Sequence, residues 1–433
     1  MKKLFVSTIL SFIILTNGFS QSFDSDRLPI GDSNKKYNFC TVTIDKIFNT
    51  NTNKESAFDE MINDLKQKRI VMIGESHTNQ LHHDVQFEVI KGLVESGKPV
   101  VLALEMFNPG QNEALALWSS GKTDPDTFLE QTDFLTTWSH NYRYYKSIFD
   151  YCREKQIPIY GTNVERKYAS KINMGGLSSL TDEDLQILPY IDTANVEHKF
   201  LINVMMDGMD ASMPKQFVNM YAAQCLWDAA MGEGAIEAAK KHPEATIVVL
   251  AGSGHVVYNL GIGRIIKDKS DLPFASVVTV DIPNKTNHSG MDKVNKDPEK
   301  DKKTTTISPH SMGMMSMDGT PSRTVIRSYA DYLFGKSEVK QEKYPSFGFS
   351  LKDTESSEYL IDKVFPQTIA YENGLQKGDL IQFVDGKSFD NLFELKKYLH
   401  FKNWDEEITF KIQRDNESKE ITFIIKPVKS YDD

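Results

Sequence analysis

Ile70, Val71, Met72 and Ile73 form an unbroken apolar run, three of the four β-branched, which breaks at Gly74 into Glu75, Ser76 and His77. Such a run predicts a strand covered on both faces, with polar chemistry at its carboxyl end. Three later runs repeat the pattern: residues 100–104 lead into Glu105, residues 157–160 into Asn163 and Arg166, and residues 247–251 into Gly252 and His255. Between the first two runs, Val85, Val89, Ile90, Leu93 and Val94 recur at helical spacing, and Gly97, Lys98 and Pro99 end the segment. This predicts a βαβ unit with a right-handed crossover. In an open parallel sheet the carboxyl ends of all strands share one edge, so these polar residues would meet in one crevice.

The rest of the pattern fills in around that sheet. Residues 57–65 predict a short helix before the first strand, and two long helical stretches, 105–157 and 181–241, predict a helical cap beside the crevice. The first carries the aromatic run Trp138, His140, Tyr142, Tyr144 and Tyr145. Residues 276–280 predict a further strand and 324–334 a returning one. Residues 282–323 hold almost no large apolar side chain, so they predict a disordered polar insertion that cannot offset its ordering entropy. A second, small domain follows at 340–428. Residues 21–44 read as a polar, untethered lead-in to an α/β domain at 45–335.

At 433 residues the chain is too long for one ordinary core, in keeping with two domains. Lys2 and Lys3, then an apolar stretch to Thr16, then small residues at Gly18 and Ser20, read as a signal peptide over 1–20 cleaved near Ser20. The mature protein is then exported, periplasmic or secreted, with no transmembrane segment. Loss of the two lysines takes the formal charge from −10 to about −12, which argues against nucleic acid and anionic membranes as partners. Cys40, Cys152 and Cys225 are widely spaced and odd in number, open to one bridge from Cys40 or to three buried thiols.

Gly74-Glu75-Ser76-His77, Leu104-Glu105-Met106-Phe107, Asn163 with Arg166, Gln224 with Trp227, Asp228 and Met231, and Ala251-Gly252 with Gly254-His255 occur in that order. Together they resemble the ChaN family of exported haem-binding proteins in the Tiki superfamily, which also holds metalloproteases and erythromycin-esterase-like hydrolases. The match runs over about 45–281. The C-terminal part resembles a PDZ domain through Ser346-Phe347-Gly348-Phe349, Gly374-Leu375 with Gly378-Asp379 and Ile381, and Val384-Asp385-Gly386. The expected fold is therefore α/β, a mostly parallel sheet with flanking helices and a helical cap, plus a small PDZ β-barrel-like domain. In the PDZ part, Phe347, Gly348 and Phe349 would capture a peptide carboxylate while a strand edge takes the peptide as an added strand. The two phenylalanines could equally plug the domain's core.

The resemblance implies haem as cofactor and iron acquisition as role, with a PDZ domain that docks a peptide or a protein C-terminus; the sequence leaves open whether one copy holds the ligand or two enclose it as a homodimer. The alternative is a hydrolase of peptides or esters, in which Glu75, His77, Glu105 and His255 activate water. A divalent metal on Glu75, His77 and His255 would assist. Arg166 would clamp a carboxylate or neutralise Glu75 or Glu105. Gln224 and Asp228, one helical turn apart, would face a ligand or tie the cap to the sheet. His140 and Tyr144 are candidate iron ligands. His82 and His83 read as surface residues of a helix start or, in the alternative, one of them as a metal or haem ligand. Haem binding is favoured because the motifs are closest to that branch.

Overall fold

The computed structural model describes residues 24–138, 140–283, 314–315, 319–353 and 358–428. The Ile70–Glu75 strand lies inside an eight-stranded sheet of order Lys54–Ser56, Ile47–Asn49, Tyr332–Ser337, Phe274–Ile282, Ile70–Glu75, Thr246–Gly252, Val100–Leu104 and Ile159–Gly161. The last six of these pair in parallel, and the 47–56 hairpin adds two antiparallel strands at one edge.

The sheet is covered on both faces, which is why its strands are apolar without alternation. Val71, Ile73, Leu102, Leu104, Val248 and Leu250 enter one core, where Phe58–Leu65 and Gln80–Glu95 supply Met61, Leu65, Val85 and Val89. Ile70, Met72, Val101, Ala103, Ile247 and Val249 enter the other, against the helices Pro214–Lys241 and Ile262–Lys269. Each of the Val, Leu, Ile and Met side chains among them contributes about 1.5–3 kcal/mol by leaving water. The aromatic stretch after Glu105 packs mostly into the first core, where Trp118, Phe128, Phe134 and Phe149 lie against one another. The cap is built by 166–241, which has two small apolar clusters of its own.

Two expectations are corrected. The lead-in is tied down: Leu28 and Ile30 are buried in the second core, and Phe39–Thr43 pairs antiparallel with Pro321–Ile326. Its signal is the alternation that buries Cys40 and Val42 and exposes Phe39 and Thr41, which a polar overall composition masks. The polar insertion ends earlier than expected, because Pro321–Ile326 is already strand, with Val325 and Ile326 buried. The returning segment is thus two strands, Pro321–Ile326 and Tyr332–Ser337, divided by a turn. Residues 284–313 and 316–318 of the insertion, like the 1–20 leader, lie outside the described residues. All three cysteines are free and buried, and no helix among the described residues is long and apolar enough to cross a membrane.

The C-terminal part is a five-stranded antiparallel sheet, Phe349–Asp353, Tyr359–Val364, Leu380–Val384, Glu407–Arg414 and Glu417–Ile424, closed by the helices Ile369–Glu372 and Leu392–His400. Its core holds Phe347, Ile361, Leu375, Ile381, Leu395 and Phe410. Phe347 therefore faces the core, the plugging role left open by the sequence. Gly348 takes φ +76°, and a Cβ there would sit 2.2 Å from the Thr368 Cβ, so only glycine fits.

Candidate functional site

The site lies where the strands Ile70–Glu75, Thr246–Gly252 and Val100–Leu104 end side by side. Glu75 is the last residue of its strand and Glu105 the first after its own, while Gly252 closes the strand between them. A cleft of ≈ 470 Å³ opens there, lined among others by Glu75, His77, Gln224, His255, Met205 and Arg323.

His77 Nδ1–H donates to Glu75 Oε1 at 2.6 Å, and the Tyr145 hydroxyl donates to the same oxygen at 3.3 Å. Glu75 Oε2 is buried without a hydrogen-bond partner among the described residues, 3.8 Å from His83 Nε2. Burial alone would lower the His77 pKa, but the Glu75 bond and the charges of Glu75 and Glu105 outweigh it and raise it. His140 lies on the His77 ring at 4.5 Å and Trp138 edge-on at 4.9 Å. Burial, with the neighbouring His77, pushes the His140 pKa down to about 4, so its imidazole is neutral at physiological pH.

A second chain of groups runs inward. Glu105 Oε2 accepts the Gly252 amide at 2.7 Å, and Oε1 is 3.4 Å from His255 Nε2. His255 Nδ1–H donates to Asp228 Oδ1 at 2.7 Å, and Asp228 Oδ2 lies 3.3 Å from His198 Nε2. Burial opposes charge on both Glu105 and His255. The pair nevertheless holds it: His255 rises to about 10 between two carboxylates, and Glu105 falls to about 2 beside that cation. His255 is therefore a fixed cation, not a base, at neutral pH.

Gly252 shapes the floor. A Cβ there would lie 3.2 Å from His77 Nε2 and 3.7 Å from Glu105 Oε2, so the missing side chain leaves a cradle bordered by nitrogen and oxygen donors.

Of the residues expected at the crevice, Glu75, His77, Glu105, Gln224, His255 and His140 converge. Asp228 does not line the cleft; it is wholly buried behind His255, the tying role, one turn further along the helix face that carries Gln224, where His255 covers it. Tyr144 is also corrected: its hydroxyl accepts the Lys343 and Tyr344 amides, and the next residue, Tyr145, reaches Glu75 instead. Arg166 is exposed at the first turn of Arg166–Gly175 and lines no part of the cleft. The arginine that lines the cleft is Arg323, paired with Asp26. His82 and His83 are buried rather than superficial; His82 Nδ1 accepts the Ser76 amide, and its Nε2–H donates to Asp281. His255 bonds Asp228 and lies beside Glu105, and no group of three His, Cys, Asp or Glu side chains among the described residues forms a metal cage. The expected metal set of Glu75, His77 and His255 is thus not assembled.

Sequence reasoning missed Tyr145, Arg323, Asp26 and His198. Tyr145 stood in the aromatic run already noted, one residue from the choice made. Arg323 stood at the end of the stretch read as disordered.

Residues 61–266 match the family model for haem-binding uptake, Tiki superfamily, ChaN. The α/β body is a ChaN-family domain. Residues 345–425 match the PDZ domain model. No curated protein matches the chain. Among solved structures, one described as cofacial haem binding to ChaN of Campylobacter jejuni is 18% identical, covers 65% of this chain and 96% of that one, and has a TM-score of 0.46. An erythromycin esterase mutant, EreC in its open conformation, is 14% identical over 56% of this chain and 76% of that one, with a TM-score of 0.34. A variant of the HtrA-type protease AlgW with a decapeptide is 17% identical over 20% of this chain and 29% of that one, with a TM-score of 0.19.

Proposed function

We propose that the ChaN-type cleft binds haem, in an exported protein that serves iron acquisition and docks a partner peptide through its PDZ domain. The observation that carries the haem reading is His77: its Nδ1 is anchored on Glu75 at 2.6 Å while its Nε2 borders the Gly252 cradle. A carboxylate behind an imidazole fixes its tautomer and strengthens the opposite nitrogen as a donor. Haem supplies an iron that takes one such axial donor. His77 Nε2 would be that donor, Met205 and Met206 offer apolar wall, and Arg323 would take a propionate. A haemin titration followed by visible absorption tests this. A saturable Soret shift that His77→Ala abolishes is the expected result, and a shift indifferent to His77 and His140 would sink it.

A second reading rests on the charges. With His255 held as a cation and Glu75 gripping His77, the edge carries a base beside an anion-stabilising group, the parts a peptide or ester hydrolase needs. Glu75→Gln would then keep the fold and lose turnover of an ester substrate. Turnover equal to that of the parent chain would end the base assignment.

In the PDZ domain, Phe349–Asp353 is an edge strand of its sheet, and we infer that a C-terminal peptide adds beside it under the Gly348 loop. An amidated peptide should bind far more weakly than the free acid.

A further inference from the structure

The PDZ domain is anchored on a short stretch of the α/β body, residues 141–145. The Tyr142 amide donates to His400 Nε2 at 2.7 Å, and Asn141 Nδ2 donates to the His400 carbonyl at 2.8 Å. Arg143 donates to the Lys402 carbonyl and to Asn403 Oδ1, both at 2.7 Å, and its guanidinium lies 4.0 Å from the Tyr344 ring centre. These contacts grip the end of the Leu392–His400 helix and the chain entering the Phe347–Phe349 loop together. Two lysines of that helix add to the grip, Lys396 on Thr136 and Lys397 on Asp126.

The same stretch reaches the cleft. Tyr145 bonds Glu75 and accepts Trp138 Nε1–H at 3.3 Å, and His140 covers His77. Glu342, in the linker to the PDZ domain, lies near enough to Thr78, next to His77, for that hydroxyl to ease its charge, and the Trp404 indole holds the Glu342 carbonyl at 2.9 Å. Two of these contacts thus lead to the Glu75 and His77 pair, one through Tyr145 and His140 and one through Glu342 beside Thr78.

We propose that the docked PDZ domain sets the cleft's geometry through residues 141–145, with Arg143 as a positioning residue that acts through Tyr145 and His140. A peptide that binds the PDZ domain and shifts its Leu392–His400 helix would loosen that grip, and a cleft ligand would by reciprocity alter peptide affinity. The partner is a peptide with a free C-terminal carboxylate. The device makes ligand capture or release depend on whether the PDZ domain is engaged.

The test uses the full chain carrying Asn141→Ala and Arg143→Ala, and separately Lys397→Asp, which opposes Asp126 and is repaired by Asp126→Lys. Amide exchange at Tyr142 reports release of the PDZ domain; adding Lys397→Asp to the double variant forces release if the pair alone leaves exchange slow. The readouts are the His77 and His140 side-chain resonances, which neighbouring rings displace, and the haemin dissociation constant. Released variants should move both sets of resonances and weaken haemin about five-fold or more, with Asp126→Lys restoring them in the chain that carries Lys397→Asp alone. Unmoved resonances in a released, folded variant would overturn the coupling. The haemin readout rests on the ligand proposed above and the resonances do not: moved resonances in a chain that binds no haemin would reject that ligand and keep the coupling.

Discussion

Tyr145 donates its hydroxyl hydrogen to the Glu75 oxygen that also holds His77, so one carboxylate oxygen joins a residue of the aromatic stretch to the imidazole at the sheet edge. Both Tyr145 and Glu75 are buried, and burial with the Glu75 charge raises the phenol pKa well above its ordinary value, so it stays a donor at any working pH.

Replacing Tyr145 with Phe removes a bond to a buried charge, worth about 1.5–3 kcal/mol. Thermal or denaturant unfolding should show a loss in that range, and haemin affinity should drop because His77 is held less firmly. A stability unchanged within 0.5 kcal/mol, as about the size of an ordinary surface substitution, would show that water replaces the phenol without cost.

Gly252→Ala places a methyl 3.1 Å from the His77 ring and 3.2 Å from its Nε2. The expected outcome is a chain that folds, with at most about 1–3 kcal/mol lost to overpacking, and that no longer presents Nε2 to the cleft. Haemin absorption distinguishes the cases: a retained Soret shift means the iron donor lies elsewhere.

The histidines set opposite pH limits. His255 is raised to about 10, so its contribution to stability is full below pH 6.5 and is lost as pH climbs toward 10. His400 is lowered to about 3 by burial and by Arg143, so its contribution is full above pH 6.5 and is lost as pH falls toward 3. Because His400 Nε2 accepts the Tyr142 amide, acid should first detach the PDZ domain. The protection factor of the Tyr142 amide, its rate relative to a free amide at the same pH, should fall between pH 6.5 and 4 while the central strand Ile70–Glu75 stays protected, and His400→Gln should flatten that dependence. Simultaneous loss of both protections would mean the two domains unfold as one.

Gly348→Val forces a branched side chain into φ +76° and onto Thr368. A penalty of about 1–3 kcal/mol for the backbone, with the clash added, should unfold the PDZ domain before the body. Two separated transitions in calorimetry are expected, and a single transition at the parent temperature would contradict the glycine requirement.

Much of this protein was legible along the chain. Apolar runs ending in Gly74-Glu75 with His77, Glu105 and Gly252 with His255 determined a doubly covered sheet and brought these four side chains, Glu75, His77, Glu105 and His255, to one edge, because strand burial and strand-end polarity are local and the parallel order does the rest. The tertiary structure alone decided which groups meet. Tyr145 and not Tyr144 reaches Glu75, since one residue of phase in a short turn swings a side chain to the opposite side. Arg323 and not Arg166 enters the cleft, since a strand that pairs with Phe39–Thr43 carries it there from the far end of the domain. His255 became a cation because Glu105 and Asp228, 150 and 27 positions away in the chain by their numbers, close on it from two elements. Such pairings are fixed by packing between segments that carry no local mark of one another, which is why the sequence determined the edge and the fold determined its chemistry.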